Sequence, residues 1–208
     1  MATQIEESKI DAAPSSPAAA PADVEVALET ESAPASSFAI GDPFVRIHFA
    51  RETGVPSFIH PGMFFIGDAI ATSVDPVAVM RHSFGQNIQP GDKIIVSIGE
   101  MDLLYRIKAS FESGVEDFCA EASTIASNIA FFMRACATAH PTCKWVFSSL
   151  RGDPEFLAFF SMEKSMSTDT IPSLSVSRQP ELVLPRLRSF VNEMVRLMLS
   201  DCVSIEIV

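Results

Sequence analysis

Two short apolar runs of this chain end in a glycine followed by a carboxylate, and they gather the groups best able to do chemistry. The first reads Phe64-Phe65-Ile66-Gly67-Asp68-Ala69, and the second Lys93-Ile94-Ile95-Val96-Ser97-Ile98-Gly99-Glu100-Met101-Asp102. Glycine allows a sharp turn or a close backbone approach, and a carboxylate beside it can orient a ligand or move a proton. Glu100 and Asp102 could bind a metal or share a proton, but the commoner place for such a pair is a solvated loop, and that is the expectation here. Asp68 could orient a ligand, although a carboxylate after a strand more often caps the turn that follows. Gly67, Asp68, Gly99, Glu100 and Asp102 are therefore the candidate ligand-binding residues. Ser73, four positions beyond Ala69, is the weak candidate for a nucleophile.

The remaining polar side chains offer less. His48 lies in the polar phase of an alternating run, His60 precedes a proline, and His82 and His140 fall near expected helix ends. None forms a ligand pair of the H-x-x-x-H kind. Arg106 could meet an anion, but a single arginine on an acidic domain is more often paired at the surface. There is no G-x-G-x-x-G and no G-x-x-x-x-G-K-[S/T], which disfavours a dinucleotide or P-loop site, and no cofactor is expected. Cys119, Cys136, Cys143 and Cys202 include no C-x-x-C pair. Free thiols packed as small apolar groups are the expectation, and no metal site is supported.

The elements that must position these residues begin after a compositional break. Residues 1–37 are dominated by Ala, Pro, Ser and Glu, lack aromatic residues, and carry seven acidic side chains against Lys9. Such a segment cannot bury enough apolar surface to offset roughly 1–2 kcal/mol of backbone entropy per residue. It reads as a disordered acidic tail, and it has the marks of neither a transit nor a signal peptide. Residues 38–208 read as one α/β domain. The chain carries 26 acidic against 15 basic residues, a net charge of −11. That balance argues against a nucleic-acid partner, which needs clustered cations. No apolar run reaches the ~18–20 residues of a membrane span, so a soluble, cytoplasmic protein is expected. Its partner would be an unidentified small molecule or protein.

Within the domain, the period-two run 44–49 predicts a half-buried strand, and 63–67 a second. Asp75-Pro76 predicts a helix start that ends by Gly85. Residues 93–98 form the strongest strand, followed by a long amphipathic helix that carries Phe118, Ala122, Ile125, Ala126, Ile129, Phe132 and Met133 on one face. A strand at 144–149, a helix with Leu187, Phe190, Val191, Met194, Val195 and Met198 on one stripe, and a terminal edge strand at 203–207 complete the series. Residues 156–160 read as the start of another helix, and 165–180 as a polar loop. Alternation of this kind specifies an α/β three-layer sandwich with a mostly parallel sheet.

With Gly67-Asp68 at one strand end and Gly99-Glu100-Met101-Asp102 at the next, the chain resembles the SGNH (GDSL-like) hydrolases. The likeness is to members whose blocks read G-D-S-H and G-E-I-D-C-R, and it covers about residues 64–208 in element order. It implies a flavodoxin-like, SGNH-like sheet, with both motifs clustered at one sheet end. In that family the serine after Gly-Asp is the nucleophile, the second block helps form the oxyanion hole, and a late D-x-x-H supplies acid and base. Here Ala69 replaces the serine, and no histidine follows His140. The resemblance thus implies a domain that has lost hydrolase chemistry and serves in binding or assembly. An active esterase or acyltransferase using Ser73 is one alternative, and an unrelated α/β interaction protein is the other.

Overall fold

The computed structural model describes residues 35–50, 54–66, 74–114, 118–152 and 180–208. Five short strands form one sheet: β1 Ser37–Gly41, β2 Ser57–Ile59, β3 Lys93–Ser97, β4 Lys144–Phe147 and β5 Ile205–Ile207. Every pairing is parallel, and the spatial order is β2-β1-β3-β4-β5. Register is set so that Ile40 lies beside Val96, and Ile94 beside Trp145. A one-residue slip would invert every side chain on a sheet buried on both faces.

Alternation along the strands divides the core. Ile40, Ile94, Val96, Trp145 and Phe147 face four helices: α1 Pro76–Phe84, α2 Glu100–Ser113, α3 Phe118–Ala139 and α4 Pro180–Met198. Ala39, Ile95 and Val146 face the other way, onto Val45 and Phe49 of a helical turn and onto Val55. Three layers result, as the alternation of elements predicts. Ile125, Ala126, Ile129, Phe132 and Met133 of α3 are buried, as are Leu187, Val191 and Val195 of α4. Burying each of these larger side chains contributes about 1.5–3 kcal/mol.

The α1 boundaries follow the sequence signals. Asp75 accepts N–H bonds from Val77 and Ala78, Pro76 occupies the first helical position, and Gly85 closes the helix at φ 66°. Beyond it, β3, β4, α3, α4 and the edge strand β5 lie within a few residues of their expected places. All four cysteines are free. Cys136 and Cys143 are buried, but Cys119 is exposed.

Two strands expected from sequence are not strands. Residues 44–49 instead fall in a helical segment that includes a π-helical turn at Arg46–Ala50. The cause lies just upstream, where Asp42 Oδ1 accepts the Phe44 N–H at 3.0 Å and its carbonyl accepts Val45 N–H. Pro43 at the entry favours the helical φ. Of the expected strand 63–67, residues 63–66 are not strand, because Pro61–Met63 form a 3-10 turn and the strand of that region is β2, upstream, while Gly67 lies outside the described residues. The first strand, β1, occupies residues assigned from composition to the tail boundary. Ser37 belongs to it, and Ser36 N–H bonds the Asp92 carboxylate at 2.8 Å. The rest of the expected tail, the expected helix at 156–160 and the loop at 165–179 lie outside the described residues.

Candidate functional site

In a sheet of order 2-1-3-4-5 the connections depart in opposite directions from β1 and β3, the switch point beside which open α/β sheets take ligands. The residues emerging there are Gly41-Asp42 from β1 and Ile98-Gly99-Glu100 from β3. Gly41 is required by contact. A Cβ built on it would sit 1.7 Å from the Ser97 carbonyl oxygen, so a side chain could not pass between the two strands. Asp42 N–H donates to that same carbonyl at 3.0 Å, which carries the β1–β3 pairing one residue past the strand.

Gly99 turns the chain from β3 into α2 at φ 99°, in the left-handed region that favours glycine. A Cβ there would lie 2.7 Å from Ile129 Cδ1 of α3. Glu100 and Asp102 therefore stand in the first turn of a helix, only 1 % and 2 % exposed. The solvated loop expected for this pair is corrected: both carboxylates are inside the protein, and they do not share a site with each other.

Each carboxylate of this region ties a different part of the chain to the start of α2. Asp42 accepts the Met101 N–H through Oδ2 at 3.3 Å while Oδ1 holds Phe44. It thus acts as the helix N-cap from 59 residues away. Asp102 accepts the Ile66 N–H through Oδ2 and Arg106 Nε through Oδ1 at 3.2 Å. Arg106 continues to Glu121 of α3 at 2.9 Å, so the expected surface arginine is a bridge between α2 and α3. Glu100 Oε1 accepts the Nε–H of Arg188 from α4, and Nη2 of the same guanidinium is in ion-pair contact with it without hydrogen-bond geometry. The other oxygen, Oε2, is buried with no partner of hydrogen-bond geometry.

The electrostatics follow from burial. Asp42 has no exposed surface, and desolvation pushes its carboxyl up to about 8. Backbone N–H groups of Met101, Phe44 and Glu100 pull the other way, and the charge of Glu100 adds to the rise. Glu100 is also raised by burial, against the hydrogen bond and charge of Arg188 and the Gly152 N–H. Arg188 can approach because residue 152 is a glycine: a Cβ there would fall 2.5 Å from its Cζ. Asn192, one turn further along α4, holds Leu150 N–H at 2.8 Å and Leu150 C=O at 2.9 Å. The loop after β4 is therefore clamped at two successive points. Ser148, the first residue past β4, is buried and its Oγ has no partner.

Of the residues expected at the site, Gly99, Glu100 and Asp102 come together at the carboxyl edge. Gly67, Asp68 and Ser73 lie outside the described residues. Ile66, directly before Gly67, donates its N–H to the Asp102 carboxylate in the first turn of α2. The Gly-Asp pair seated beside Gly99-Glu100 is Gly41-Asp42, which sequence reasoning passed over. Asp42-Pro43 carries the same Asp-Pro signal that marks α1 at Asp75-Pro76, and that signal could have found it. His60 also belongs to this edge. Its N–H donates to Gly41 C=O at 3.1 Å, and its Nδ1 is buried without a partner.

Two other histidines have structural places. His140 sits just before β4, at the amino end of the sheet, where Nε2 bonds the Asp75 carboxylate at 2.8 and 2.9 Å. Its carbonyl accepts Trp145 Nε1–H at 3.2 Å. His48 is buried between Phe44 and Phe49, with ring centroids 6.1 and 6.5 Å away. Among the described residues no cluster of His, Cys, Asp or Glu could hold a metal ion, and no helix is long and apolar enough to cross a membrane. No protein-family model matches the chain, and no curated protein matches it.

Proposed function

We propose that this is an SGNH-like α/β domain that has lost hydrolase chemistry and works as a binding or assembly module through the carboxyl edge between β1 and β3. One observation carries the reading. The Gly-Asp pair that meets Gly99-Glu100 at the switch point is followed by Pro43, which has no hydroxyl. The second Gly-Asp pair in the sequence is followed by Ala69. Neither position offers the oxygen that an acyl transfer needs. Asp42 and Glu100 are occupied with backbone N–H groups and Arg188, so neither is placed to abstract a proton from substrate. His60 reaches the edge, but a base without a nucleophile to activate does not make a hydrolase.

What remains is the switch point of the sheet, the place where α/β sheets take ligands, with buried polar side chains of unspent hydrogen-bonding capacity beside it. Glu100 Oε2, Ser148 Oγ and His60 Nδ1 are among them. Hydrolysis of a short acyl ester by the wild type, Ser73→Ala, Pro43→Ser and Ala69→Ser tests the reading. Background rates in the wild type and in Ser73→Ala are expected. Wild-type turnover abolished by Ser73→Ala would replace the proposal with an active esterase. Activity gained in Pro43→Ser alone would place the ancestral nucleophile after Gly41-Asp42.

A further inference from the structure

We draw no further inference here: the strongest candidate, the buried Glu100–Arg188 pair at the carboxyl edge of the sheet, belongs to the site already described.

Discussion

Arg188 shows most clearly how one side chain governs the edge. It crosses from α4 to Glu100 at the end of β3, in a place opened by Gly152. Arg188→Met would leave Glu100 ionised and uncompensated inside the protein, at a cost of about 3–5 kcal/mol. Chemical denaturation at neutral pH measures it. The penalty should shrink in acid, where Glu100 takes a proton, and adding Glu100→Gln should restore most of the loss. Equal losses in the single and double variants would mean that packing, not charge, sets the cost. The pairing itself was not legible in the sequence. Arg188 and Glu100 are 88 positions apart, and nothing local marks either for burial. Gly99 and Glu100 were legible as site residues because a strong strand pattern led directly into them. Asp42 was not, because the alternation of Phe44 to Phe49 suggested a strand and masked the Asp-Pro helix start.

Among the elements, the helices that pack by an apolar stripe were readable and the one fixed by remote caps was not. α3 and α4 show their buried faces at three- and four-residue spacings. α2 has Gly99 at its start in place of a local Ser, Thr or Asp, and its cap comes from Asp42 in another loop. A sequence window cannot contain that bond. β1 was lost for a related reason: a five-residue strand beside an Ala/Pro/Ser-rich stretch carries too little pattern of its own. The clamp of α4 on the β4 loop gives a test at this scale. Asn192→Ala strips partners from both the N–H and C=O of Leu150, and should cost about 1–3 kcal/mol. Faster exchange of the Leu150 amide, with the β3 amides still protected, is the expected pattern. Equal loosening throughout the sheet would show that the clamp is not local.

For the whole molecule, strand order matters more than any single motif. An all-parallel sheet ordered 2-1-3-4-5 puts Gly41-Asp42 and Gly99-Glu100 side by side although 58 residues separate them in the chain. The α/β class and the layers could be read from alternating elements, but the identity of the neighbour at the switch point depended on placing β1. The same correction moves the boundary of the N-terminal stretch. A chain beginning at residue 35 should keep the full-length thermal midpoint, because the composition before it cannot build a core. A chain beginning at residue 39 loses the first rungs of β1 and the Ser36–Asp92 bond, and should melt several degrees lower, as expected for a loss of about 1–2 kcal/mol. A lower midpoint already at residue 35 would assign the preceding stretch a part in stability.

The central claim is that the carboxyl edge between β1 and β3 is where this domain meets its ligand. Amide chemical-shift mapping of the full chain against small neutral polar fragments and short-chain carboxylates tests that claim most directly. Shifts are expected to converge on Gly41, Asp42, Gly99, Glu100, Met101, Ser148 and Gly152. Convergence at the amino end of the sheet around Asp75 and His140, or on the outer faces of α3 and α4, would contradict it.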